Sequence, residues 1–214
     1  MNINKNKFIY ILIIFLFLFL VSCKKNISDD PKPIEVDINY NNKEFHESMK
    51  GILKNKKVYV TSIGQSNDIT EYKEVVLDHI DYMQYEIKPL LKASEVEEGS
   101  CVLLFVGCSI KALASSELTI DDELERANAF KTLCQNKKIT LICFHIGGQA
   151  RRGATSDQFI KALFPYSNYN IYLDSGNSDQ LLSNLSFNNN VLCYEISSNL
   201  TLVKTTELLC GYGE

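Results

Sequence analysis

Residues 139–153 read Ile139-Thr-Leu-Ile-Cys-Phe-His-Ile-Gly-Gly-Gln-Ala-Arg-Arg-Gly153. Ile139 to Phe144 is a nearly unbroken apolar run, followed by His145, the pair Gly147-Gly148 and the adjacent Arg151-Arg152. A strand that is apolar at consecutive positions, rather than at every second one, is covered on both faces, which points to a parallel sheet packed between helices. Ligands of such sheets sit outside the carboxyl ends of the strands, near the switch in strand order. A glycine-rich basic loop directly behind the strand lies at that edge.

The same pattern extends in both directions. Upstream, Cys101–Val106 (CVLLFV) is continuous and ends at Gly107, and Lys57–Ile63 (KVYVTSI) ends at Gly64. Shorter strands are expected over Tyr82–Ile87, Tyr169–Leu173 and Val191–Tyr194. Helical spacing fills the intervals. Tyr72, Val75, Val76 and Ile80 share a face of 70–80, and Leu124, Ala127, Phe130, Leu133 and Cys134 share one of 120–135; shorter helices follow over 156–163, 179–185 and 199–210. Strands alternating with helices imply parallel pairing through right-handed crossovers. The expected fold is a single three-layer α/β/α domain over residues 56–214, flavodoxin-like or Rossmann-like. Its parallel sheet would have five or six strands, ordered 2-1-3-4-5 with a sixth at the end.

The amino-terminal part has a different character. Lys5 and Lys7 precede Phe8–Val21, an apolar run of 14 residues. That is short for a membrane-spanning helix, which needs about 20. A charged start, a short apolar middle and small residues before a cut describe a signal peptide over residues 1–22. Leu20-Val21-Ser22-Cys23 resembles a bacterial lipobox, in which the Cys23 thiol would receive a diacylglycerol and become the first mature residue. Cleavage there removes 22 residues with two lysines and no acid. It leaves 192 residues and takes the formal charge from −4 to −6. Residues 23–55 are polar, with Pro31 and Pro33. They are expected to be the lipidated cysteine and a tether, carrying a short helix or strand near 43–53. The expected location is extracytoplasmic, anchored to a bacterial membrane through the lipid.

Charge and cysteine usage exclude several classes. Acids outnumber Lys and Arg by 26 to 22, so nonspecific nucleic-acid binding is not expected. Cys101, Cys108, Cys134, Cys143, Cys193 and Cys210 show neither a disulfide framework nor zinc spacing. Several sit inside strand-like runs, as small buried hydrophobes do. GxxxxGK[ST] is absent, and neither a cofactor nor a metal is expected.

Four loops follow four strands. In the first, Gly64, Gln65 and Ser66 lead into a helix, where backbone N–H groups can face an anion; a tight turn with Ser66 or Asp68 as helix cap is the plain reading. The second offers Ser109 and Lys111, a point charge that could meet an anion or simply face solvent. The acids Asp121, Asp122 and Glu123 beyond it suit a helix start, with a metal site as the weaker alternative. The third holds His145, Gly147, Gly148, Arg151 and Arg152. An arginine fork matches carboxylate or phosphate bidentately, and if buried it requires a ligand anion or an internal acid. The fourth, Asp174–Asp179, reads as a turn in which Ser178 caps the next helix, with Ser175 and Asn177 at its rim.

Together Gly64–Ser66 (GQS), Gly107–Leu113 (Gly-x-Ser-x-Lys-x-Leu), Ile120–Glu123 (IDDE) and His145–Gly153 (HIGG-x-A-RRG) resemble the bacterial lipoprotein family of domain of unknown function 6305, over about Lys57 to Leu209. The resemblance implies an exported α/β domain with these loops as hallmark positions. It implies no substrate and no catalytic residue.

Two function classes remain. The first is a binding module for a small anionic ligand, a carboxylate or phosphate, which it would pass to a membrane transporter or sense. Its binding residues would be Gly64, Gln65, Ser66, Ser109, Lys111, His145, Gly147, Gly148, Arg151 and Arg152. The second is an extracytoplasmic hydrolase or transferase with Ser66 or Ser109 as nucleophile and His145 as base, although no GxSxG elbow is present. An envelope interaction protein with a basic rim is the plain alternative to both.

Overall fold

The computed structural model describes residues 38–212. The expected signal peptide, Cys23 and the first part of the tether lie outside those residues. The sheet has six strands, all parallel: β1 (Val58–Ile63), β2 (Tyr85–Ile87), β3 (Cys101–Val106), β4 (Thr140–His145), β5 (Tyr169–Leu173) and β6 (Leu192–Ile196). Their order is 2-1-3-4-5-6. Seven α-helices among the described residues complete the domain: α1 (Ile38–Met49), α2 (Asp68–Val75), α3 (Ile110–Ser115), α4 (Ile120–Gln135), α5 (Ala154–Leu163), α6 (Leu181–Phe187) and α7 (Asn199–Cys210). This is a single α/β domain of flavodoxin or Rossmann type.

The two-residue period of a strand splits its side chains between two cores. Val58, Val60, Cys101, Leu103, Phe105, Ile142 and Phe144 face α1, α2 and α7. Tyr59, Val102, Leu104, Val106, Leu141, Cys143 and Tyr172 face α4, α5 and α6. On the first side Tyr72 of α2 lies with its ring centroid 4.8 Å from that of Phe105 and 5.6 Å from that of Phe144. Its buried hydroxyl is satisfied by Thr206 Oγ1 of α7, 3.0 Å away. All six cysteines of the described residues are free, and only Cys108 is partly exposed.

The short helix or strand expected near 43–53 is a helix, and it packs on the domain. Residues 38–49 form α1, and Phe45, Met49 and Leu53 are buried in the first core. Their four-residue spacing lays one apolar stripe on the sheet. The Phe45 ring stacks on Tyr194 of β6 at 5.1 Å and meets Tyr169 edge-on at 5.9 Å. No helix among the described residues is long and apolar enough to cross a membrane.

Register brings the strand ends together. β1 and β3 pair over their full length, from Val58 opposite Cys101 to Ile63 opposite Val106. Phe105 then lies opposite Phe144, and His145 opposite Tyr172. The loops behind β1, β3, β4 and β5 therefore leave from one carboxyl edge.

Candidate functional site

Behind β1 the chain turns through two successive left-handed residues, Gly64 (φ +76°) and Gln65 (φ +55°), before α2 begins. The Gly64 carbonyl accepts from Ser109 N at 2.9 Å, which joins the first loop to the second. The Gly64 N–H donates to Glu123 Oε2. Ser66 is buried, and its Oγ accepts from Asp68 N at 3.4 Å. Asp68 is buried too, and its Oδ2 accepts from Gly147 N at 3.1 Å, which ties the first loop to the third.

The second loop is short. Cys108 N donates to Ser156 Oγ of α5 at 2.9 Å. Ser109 is the N-cap of α3, with its Oγ accepting from Ala112 N at 3.3 Å. Lys111 is exposed in the first turn of that helix.

In the third loop His145 is fully buried, and its Nδ1 lies 2.8 Å from the Val106 carbonyl. A carbonyl only accepts, so Nδ1 carries a proton and donates to it, and Nε2 is left as the ring's other polar atom. Among the described residues that Nε2 has no protein partner, and neither has buried Gln65 Nε2. Gly148 (φ +58°) starts a turn of 3-10 helix over Gly148–Arg151. The fourth loop packs on it closely. A Cβ at Gly176 would lie 3.1 Å from His145 Cδ2 and 3.2 Å from Gly148 Cα. The four loops thus form one contiguous surface at the carboxyl edge.

The two adjacent arginines have opposite surroundings. Arg152 is 5% exposed, and its guanidinium bonds Asp157 at 2.7 and 3.2 Å, Asp179 at 3.0 and 2.9 Å, and the Gly176 carbonyl. The hydrogen bond with Asp157 raises the Arg152 pKa further. At Asp157 burial pulls upward, but Arg152 overrides it and leaves the carboxyl below its ordinary range; at Asp179 the hydrogen bond from Arg152 lowers the value. Arg152, expected at the ligand rim, is therefore a structural clamp between the third loop, α5 and the fourth loop. Arg151 is half-buried and makes no ion pair or side-chain hydrogen bond among the described residues. Its side chain runs along Gly147, where a Cβ would lie 2.7 Å from Arg151 Cβ.

Two further expectations change. The amides of Gly64 and Gly147 are committed to Glu123 and Asp68, so the anions they hold are the protein's own. Ser178 does not cap α6; Asn177 Oδ1 accepts from Leu182 N at 3.0 Å and Ser183 N at 3.2 Å instead. The acids at the start of α4 divide their roles. Asp122 closes a capping box with Thr119. Glu123 is fully buried and pairs with Arg126. No group of three metal-ligating side chains occurs among the described residues. Ser66 and Ser109 bond backbone amides within their own loops, and neither pairs with His145 among the described residues.

Asp68, Glu123 and Asn177 are the residues that sequence reasoning undervalued. Each carried a signal as a polar residue flanking a glycine-bearing loop or opening a helix, but that position also suits an ordinary cap.

Comparison with curated proteins and with solved structures found no match. A family profile described as "Domain of unknown function (DUF6305)" matches residues 55–209, which takes in all six strands and all four loops, and the chain belongs to that family.

Proposed function

We propose that the chain is an exported, lipid-anchored binding module that captures a small carboxylate or phosphate compound at the carboxyl edge of its sheet. The observation that carries this reading is Arg151. Its neighbour Arg152 is saturated by two carboxylates and a carbonyl, whereas Arg151 meets no acid among the described residues while half-buried beside the same loops. A guanidinium so placed offers a planar fork that carboxylate and phosphate oxygens match. Lys111 adds an exposed ammonium on the neighbouring α3. Among the described residues, Gln65 Nε2, a donor, and His145 Nε2 are two buried polar atoms left for a ligand or an ordered water.

Thermal unfolding of the full chain in nonionic detergent, with acetate, succinate, citrate or inorganic phosphate added, tests the reading. A true ligand at 100 times its dissociation constant adds about 2.7 kcal/mol of stability. For a domain of this size that raises Tm by roughly 5–10 °C. Arg151→Ala is expected to remove the shift while leaving the ligand-free Tm almost unchanged. A shift that persists in Arg151→Ala would move the site elsewhere.

The anchor rests on the lipobox-like Leu20–Cys23 and the apolar run before it. Cells fed an alkyne-bearing palmitate are expected to label the chain and not its Cys23→Ser variant. Equal labelling of the two would overturn the anchor.

A further inference from the structure

A groove of about 820 Å³ opens at the opposite, amino-terminal edge of the sheet. One wall is the connection from α1 into β1, with Lys54 and Lys56; the other is the approach to β2, with Tyr82 and Tyr85; Tyr212, just past α7, closes one end. Its volume lies in the range of small-molecule sites.

The charges in it are unequally matched. Lys57 is held by Glu97 at 2.7 Å and Glu86 at 3.8 Å. Lys54 and Lys56 meet no acid among the described residues, and Lys56 Nζ reaches only Thr140 Oγ1, at 3.4 Å. In the same groove the ring centroids of Tyr82 and Tyr212 lie 4.3 Å apart. The Tyr82 hydroxyl is out of solvent and has no hydrogen-bond partner among the described residues. It is a protonated donor at neutral pH, and burial pushes its pKa up to about 12. A buried hydroxyl without a protein partner is one that a ligand or an ordered water can satisfy.

We propose that this groove is a second binding site, for a small anion built on a ring, whose charged group meets Lys54 and Lys56 while its ring lies against Tyr212 and Tyr82 and one of its oxygens takes a hydrogen bond from the Tyr82 hydroxyl. Tyrosine faces supply flat contact area with little conformational freedom to lose. Lysines act as point charges that do not select between carboxylate and phosphate, so both a uronic acid and an aryl phosphate fit this chemistry. The site is independent of the carboxyl edge, because the two lie at opposite ends of the strands.

Isothermal titration of the full chain in nonionic detergent with phenyl phosphate, glucuronate and inorganic phosphate tests the proposal. At least one of the two ring-bearing probes is expected to bind at least tenfold more tightly than inorganic phosphate. Lys54→Ala with Lys56→Ala is expected to weaken that binding at least tenfold, and Tyr82→Phe, which removes only the hydroxyl, severalfold with an unchanged Tm. Arg151→Ala should leave it intact. The proposal is overturned if neither ring-bearing probe binds, if inorganic phosphate binds as tightly, or if the lysine pair has no effect. Loss of binding in Arg151→Ala would place these probes at the carboxyl edge and overturn the second site alone.

Discussion

Glu123→Ala is expected to destabilise the domain by about 3–5 kcal/mol, the cost of leaving one member of a buried ion pair uncompensated. The Glu123 side chain is 0% exposed and that of Arg126 is 14% exposed. Burial already pulls the Arg126 pKa down, and the neighbouring carboxylate is what opposes that pull. Without it the guanidinium keeps only carbonyl contacts, to Ser62 and to Pro89, while its Nε has no partner even in the native protein. The Gly64 N–H would lose its acceptor in the same stroke. Urea unfolding followed by circular dichroism reads the loss, and Tm should fall by on the order of 10 °C. Adding Arg126→Ala should recover part of it, because much of the penalty is the stranded charge. A loss below about 1 kcal/mol would mean that the pair is effectively solvated.

That expectation could not have come from the sequence, where Glu123 is one of three successive acids at a helix start. Helix α4 itself was legible to the residue, since Thr119 and Asp122 form a capping box and the apolar face repeats at helical spacing. β3 and β5 were legible for a different reason. β3 is an unbroken apolar run and β5 is mostly aromatic and aliphatic, with Asn170 as its one polar residue, and both end at turn-forming residues. α1, expected as a short helix or strand near 43–53 within a polar tether, was legible only in part, because its apolar anchors are few in a segment otherwise polar; Phe45 and Met49, with Leu53 just beyond the helix, seat it on the sheet, so its stability comes from tertiary packing rather than from local preference. The four loops were legible as a group, because a parallel sheet puts every strand-to-helix connection at one edge. Which arginine is free was not legible. Arg151 and Arg152 are identical neighbours, and the acids that consume Arg152 lie 5 and 27 positions further on. Only the folded geometry brings Asp157 and Asp179 to the same guanidinium.

Gly64→Ala is expected to cost about 3 kcal/mol or more, and the other glycines of the chain show why. At φ +76° an L side chain already bears roughly 1–2 kcal/mol of strain. The added methyl would then overlap the Gly107 carbonyl oxygen, far inside van der Waals contact, and lie 2.8 and 2.9 Å from Phe159 ring atoms. The oxygen is backbone, fixed by the pairing of β1 with β3 and by the bond from Ser109 N to the Gly64 carbonyl, so relief requires opening the edge of the sheet. Gly99→Ala isolates the strain, because Gly99 has φ +85° but nothing within 4 Å of an added methyl; it should cost about 1 kcal/mol. Gly147→Ala isolates the collision. Its φ of −76° suits any residue, but the methyl meets Arg151 Cγ, lies 2.7 Å from Arg151 Cβ and 2.8 Å from Asp68 Oδ1. The Cγ and the carboxylate can swing away for roughly 1 kcal/mol, whereas a Cβ moves only with its backbone, so the turn over Gly148–Arg151 must shift as well. Gly147→Ala should therefore melt below the parent and lose the ligand-dependent shift, since the residue that must move is Arg151. Measured melting temperatures should fall in the order parent, Gly99→Ala, Gly147→Ala, with Gly64→Ala, which adds backbone strain to a collision with a backbone carbonyl, well below. If Gly64→Ala melts with Gly99→Ala, the loops behind β1 and β3 are not packed as tightly as their geometry requires, and the carboxyl edge is too loose to hold Arg151 in place.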